Sequence, residues 1–137
     1  MTTTIKPTTA AELQELLAPY IGTTKLYVQS KHPPYDTPKY TEGVRAMAAI
    51  TDGYWLLQII TAYMPLIRAD RRLRQFSLVR LTTADNRATL EIFADTEYDD
   101  GTPRPPEISQ QIGHTDFPAG VFELFLQHET LMLTTEY

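Results

Sequence analysis

His114-x-Asp116 sets an imidazole and a carboxylate two residues apart, a spacing that puts both on one side of an extended strand. Such a pair is the start of a metal site or of a hydrolytic acid–base pair. The other histidines, His32 and His128, lie far away in sequence and supply no recognisable third ligand. The acidic run Asp95-x-Glu97-x-Asp99-Asp100-Gly101 repeats oxygen ligands at every second residue, as a calcium loop does. Its glycine stands seventh where the sharp turn of such a loop needs it sixth, and Pro106 occupies the place of the closing bidentate Glu. The run therefore reads as a turn at Asp100-Gly101 among solvated carboxylates. With no cysteine in the chain, disulfides, thiolate zinc sites and cysteine nucleophiles are excluded together. Ser30, Ser77 and Ser109 lie in no Gly-x-Ser-x-Gly elbow, and there is no Gly-rich phosphate loop. No catalytic residue, cofactor or metal ligand is assigned. A hydrolytic or metal-assisted enzyme using His114, Asp116 and the carboxylates of residues 95–107 stands as an alternative.

Binding chemistry is better represented. Arg68, Arg71, Arg72 and Arg74 would bring guanidinium groups together on a helix, as a phosphate-binding face requires. The net charge is −5 and no helix-turn-helix, RRM or OB pattern accompanies the cluster, which weighs against nucleic acid. The charge is unevenly spread. Residues 67–87 carry six Arg against Asp70 and Asp85, net +4, and residues 88–137 carry Arg104 against ten acids, net −9. The arginines are thus expected to complement a helix C-terminus and to pair with the acidic C-terminal half. Tyr27, Tyr35 and Tyr40 flank Pro33, Pro34 and Pro38, and exposed tyrosines add contact area at low entropic cost. Tyr35, Tyr40 and the four arginines are the expected partner contacts.

The elements that must position these groups follow from periodicity. At 137 residues the chain suits one domain, with residues 1–8 expected to be a disordered tail. Thr8 or Thr9 caps a first helix carrying Leu13, Leu16 and Leu17, and Thr41 caps a second with Val44, Met47, Ala48 and Ile50. From Gly53 to Met64 the pattern is apolar nearly all round, and Pro65 predicts a kink or break before a segment from Leu66 to Leu73. After Arg74 the period becomes two. Residues 75–94 form a predicted hairpin, Ile108 to Ile112 a further strand, and Val121 to Leu133 a C-terminal hairpin, with a helix over Ala119 to Gln127 as the alternative. The fold class expected is α+β, N-terminal helices on one face of an antiparallel β-meander that ends in a C-terminal β-hairpin.

Four short stretches carry a resemblance: Tyr40-Thr41-Glu42-Gly43-Val44, Tyr54-Trp55-Leu56-Leu57, Thr115-Asp116-Phe117-Pro118 and Leu131-Met132-Leu133-x-x-Glu136-Tyr137. Together they look like an uncharacterised family of small bacterial proteins, also met on plasmids and phages, over roughly residues 20–137. Thr134-Thr135 stand where that family has Pro-Ser. The resemblance implies no activity or site, and it favours the C-terminal hairpin. The resulting expectation is a small cytoplasmic protein-binding or regulatory module with an unidentified protein partner, of mobile-element origin, with no membrane span. Homodimerisation through an open edge of the C-terminal hairpin is a further expectation.

Overall fold

Both helix caps expected from the sequence are used. Thr9 Oγ1 accepts the Glu12 amide at 3.2 Å to open α1 (Ala10–Leu17), and the Glu12 carboxylate accepts the Thr8 amide at 3.0 Å in return. Thr41 Oγ1 accepts the Val44 amide at 3.3 Å to open α2 (Glu42–Thr51). These elements belong to a computed structural model that describes residues 6–21, 26–28 and 38–137. Of the tail expected over residues 1–8, the first five lie outside the described residues, while the Thr8 carbonyl accepts the Ala119 amide at 2.9 Å.

The expected break at Pro65 is not where the helix ends. Helix α3 (Tyr54–Ala69) continues through it. Pro65 is exposed, and Leu56, Leu57, Ile60, Met64 and Ile67 make a buried stripe that continues past it, so burial of that face outweighs the loss of one amide donor. The break falls at Asp70. Its carboxylate accepts the Arg72 and Leu73 amides at 2.9 and 3.1 Å and caps a separate short helix, α4 (Arg71–Gln75). Asp70→Ala is expected to cost about 1 kcal/mol, read as a lower urea midpoint with an unchanged slope; an unmoved midpoint would mean that the cap contributes nothing.

Seven strands follow the order β1-β2-β7-β6-β3-β4-β5 among the described residues: β1 (Leu26–Val28), β2 (Lys39–Thr41), β3 (Ser77–Ala84), β4 (Arg87–Phe93), β5 (Ile108–Ile112), β6 (Gly120–Gln127) and β7 (Thr130–Leu133). Neighbours are antiparallel except β2 and β7, which run parallel. Strands β3, β4 and β5 are the meander, and β6 returns to the other side of β3. Two-residue turns close both hairpins, Asp85-Asn86 at φ 54° and 60° and His128-Glu129 at 51° and 60°, the left-handed pair that matches strand twist. The C-terminal segment is therefore a hairpin and not a helix, and the α+β class is as expected.

Alternation decides which face is buried. Val79 and Leu81 of β3, Leu90 and Ile92 of β4, Phe122, Leu124 and Leu126 of β6, and Leu131 and Leu133 of β7 meet Leu13, Met47, Leu56, Ile60 and Met64 from the helices in one core. The opposite face carries an Arg80–Glu123 ion pair at 2.9 Å and rings of Phe76, Phe125 and Tyr137 in mutual contact. The expectation that the C-terminal hairpin leaves an edge for a second copy is corrected. Its outer strand β7 is already paired, Lys39 with Thr130 and Tyr40 with Leu131. The end strands of the sheet are β1 and β5. No helix among the described residues is long and apolar enough to cross a membrane.

Candidate protein-contact surface

The antiparallel register of β1 and β2 sets Tyr27 opposite Tyr40, and their rings stack at 5.8 Å between centroids. Arg45 lies one turn into α2, and its guanidinium sits 4.5 Å from the centre of the Tyr27 ring, a cation–π contact. Glu42, Arg45, Ala46 and Ala49 share one side of α2 because they recur at i, i+3, i+4 and i+7. With Tyr20 and Tyr27 they line an open hollow of about 360 Å³. Burial, and then the neighbouring Tyr54 hydroxyl, raise the Tyr40 phenol above the ordinary tyrosine range, and Arg45 opposes them. Tyr40 therefore remains a neutral hydrogen-bonding group through the physiological range. Tyr54 itself is 42% exposed. Four of the eight tyrosines thus gather at one end of the sheet, held by β1, β2 and the starts of α2 and α3.

Of the contacts expected from sequence, Tyr40 belongs to this surface, whereas Tyr35 lies outside the described residues, as does His32. Tyr20 and Arg45 were not singled out. The i, i+3, i+4, i+7 pattern of α2 would have marked the Arg45 face, but only the β1–β2 register brings Tyr27 under that guanidinium. The arginine cluster has other occupations. Arg68 pairs with Glu129 at 2.6 Å, Arg72 with Glu107 at 3.1 Å, and Arg74 donates to the Arg68 carbonyl at 3.4 Å; Arg71 is exposed. Both ion pairs join the basic segment to the acidic C-terminal half, the pairing that the charge distribution leads one to expect.

His114 and Asp116 share the lining of a second hollow, about 470 Å³, with Trp55, Ile112 and Thr115. No hydrogen bond joins them. Asp116 faces Lys6 at 3.5 Å with its side chain 71% exposed, and His114 makes no hydrogen bond or ion pair among the described residues. No group of three or more His, Asp or Glu among the described residues could hold a metal. The calcium-like run is a turn: Asp100 Oδ1 accepts the Thr102 hydroxyl at 2.7 Å and its amide at 3.0 Å, and these bonds hold the carboxyl below its ordinary range.

A family model matches residues 11–137, that of a family of unknown function (DUF6876). No curated protein and no solved structure matches the chain.

Proposed function

We propose a role for this chain, which belongs to the family of unknown function DUF6876: it is a small protein-binding or regulatory module whose contact surface is centred on Tyr27, Tyr40 and Arg45. The observation that carries the reading is the convergence of Tyr20, Tyr27 and Arg45 on one open hollow, with Tyr40 stacked behind them. Tyrosine and arginine dominate the energetics of protein contacts, because a rigid ring or planar fork buries much area for few frozen torsions. Here the rings are held before a partner arrives, which lowers the ordering cost of association. The absence of a hydrogen-bonded acid–base pair at His114 and Asp116 makes binding the better-supported class. A bacterial setting and a mobile-element origin are part of the same proposal and rest on the motif resemblance, and a cytoplasmic location is proposed with them from the polar N-terminal sequence.

The test is capture from an extract of the native host with the wild-type chain and with Arg45→Ala and Tyr27→Ala. Arg45 is exposed and Tyr27 half-buried on a three-residue strand, and each substitution should leave circular dichroism unchanged. Recovery of the captured protein is expected to fall at least about tenfold, the loss typical of a contact hot spot. Equal recovery by all three chains, or none above background, would overturn the reading.

A further inference from the structure

The far end of the sheet carries a second interaction surface, and its occupant is legible in its sequence. Strand β5 is last in the sheet order, and one edge pairs with β4 from Ala88↔Ile112 to Ile92↔Ile108. Among the described residues nothing pairs with its other edge. An edge strand presents a row of unsatisfied N–H and C=O groups, which proteins ordinarily blunt with charge, proline, a bulge or extreme shortness. The opposite edge, β1, has only three residues. β5 has five, Ile108-Ser109-Gln110-Gln111-Ile112, with no charge, proline or glycine among them.

We propose that two copies of this chain associate through β5, the strands running antiparallel about a two-fold axis at Gln110. The five residues are close to a palindrome. In this register Ile108 faces the second copy's Ile112, Ser109 faces Gln111, and Gln110 faces Gln110. Ile108 meets Ile112 on the helix side, where the two Gln110 side chains also meet, Ser109 meets Gln111 on the open side, and no like charges oppose. A slip by one residue sets Ile112 against Ser109 or Glu107, so the pairing specifies its own register. An isologous contact of this kind closes as a dimer and cannot propagate.

The ground beside the strand fits the same occupant. Tyr63 of α3 donates to Gln110 Oε1 at 2.6 Å, and Trp55 and Ile112 line one hollow, so α3 runs alongside this edge. Trp55, Ile59 and Tyr63 recur every four residues on that helix and are only partly buried, and Leu66, one turn on, is 59% exposed. Strand pairing would bring two such stripes towards each other and remove apolar surface from water. Glu107, the carboxylate that precedes β5 in the chain, is held by Arg72 at 3.1 Å and Arg104 at 3.2 Å, and the strand itself carries no charge. This surface is at the other end of the sheet from the tyrosines, and neither proposal requires the other.

The chain has no cysteine, so single cysteines report the pairing directly. Under mild oxidation Gln110→Cys is expected to run at twice 15.6 kDa without reductant. Ser109→Cys alone should stay monomeric on the gel, because its mates are two positions out of register. Ser109→Cys mixed with Gln111→Cys should cross-link. Light scattering of the unmodified chain should give twice 15.6 kDa, and Ser109→Lys with Gln111→Lys, which would set four ammonium groups in opposition, should halve that mass without changing circular dichroism. Three results overturn the proposal: a wild-type monomer at every concentration reached, a dimer that survives the lysine pair in folded form, or cross-linking with no preference for position 110. A monomer whose β5 amides become protected in host extract would assign the edge to a different polypeptide. If the lysine variant fails to fold, the cysteine pattern decides by itself.

Discussion

Glu136→Ala is expected to destabilise the protein by about 2–3 kcal/mol, although the residue is the penultimate one of the sequence and only partly buried. Its carboxylate serves three donors at once. Oε1 accepts the Thr41 hydroxyl at 2.6 Å and the Leu133 amide at 3.0 Å, and Oε2 accepts the Gly43 amide at 3.3 Å. The start of α2 and the end of β7 are thereby fastened to each other, with a negative charge set where the helix dipole favours it. Truncation strands the hydroxyl of Thr41, which is buried, together with two amides.

The same clasp inverts the usual rule for glycine in a helix. Alanine at position 43 would normally gain about 1 kcal/mol. Here an added Cβ would collide with Glu136 Oε1 and would stand only 2.5 Å from Leu133 Cδ1. Gly43→Ala should therefore destabilise by about 1–2 kcal/mol. In the Glu136→Ala background the penalty should shrink, because only the Leu133 methyl remains in the way. Urea unfolding of the four chains of this double-mutant cycle measures the coupling. A Gly43→Ala effect that is the same in both backgrounds would show that the carboxylate does not sit where the clasp requires.

Phe117→Ala is expected to cost about 3–5 kcal/mol, the range for emptying a buried aromatic site. The ring is 3% exposed and lies between Trp55, edge-on at 6.2 Å, and Phe122 at 5.7 Å. Its backbone is not free to follow a smaller side chain. The Phe117 amide donates to Thr115 Oγ1 at 3.1 Å, and the Thr115 amide donates to the Asn86 carbonyl at 2.8 Å. The cavity left behind should collapse poorly. Phe117→Leu should lose less than half as much. Trp55 is the single tryptophan, so its native-state emission should shift to the red in Phe117→Ala as water reaches the indole. An unfolding midpoint equal to that of the wild type would contradict the assigned packing.

The four short stretches that mark the family resemblance acquire a physical meaning in the fold. Thr41 and Gly43 of the first meet Glu136 of the last, and Trp55 of the second meets Phe117 of the third. Residues more than sixty positions apart thus form two joints, one at the start of α2 and one at the start of α3. Nothing in the short motifs announces this, because each contact partner is chosen by the path of the chain between them.

Caps and turns needed only a few neighbouring residues, which is why Thr9, Thr41 and the two hairpins were legible in the sequence. A hydroxyl followed three residues later by a free amide, or an alternation of apolar and polar side chains, states its own local geometry. Pro65 was misleading because its cost is local and visible, whereas the burial that outweighs it comes from the core around α3. The arginine cluster was legible as charge, and its pairing with the acidic half followed from charge balance. That Glu129 and Glu107 are the partners did not.

By itself the sequence determined the α+β class, the helix starts, the antiparallel hairpins and the lack of thiol chemistry, all of which rest on residue type and short-range period. Only the tertiary structure decided that β2 lies beside β7 and so closes the C-terminal hairpin. It also decided that Tyr27 lies under Arg45, and that β5 is left at the end of the sheet. Alternation fixes which side chains share a face but carries no information on which strand comes next. That choice is made when distant apolar faces are buried together, and the surfaces available to a partner are what the choice leaves uncovered.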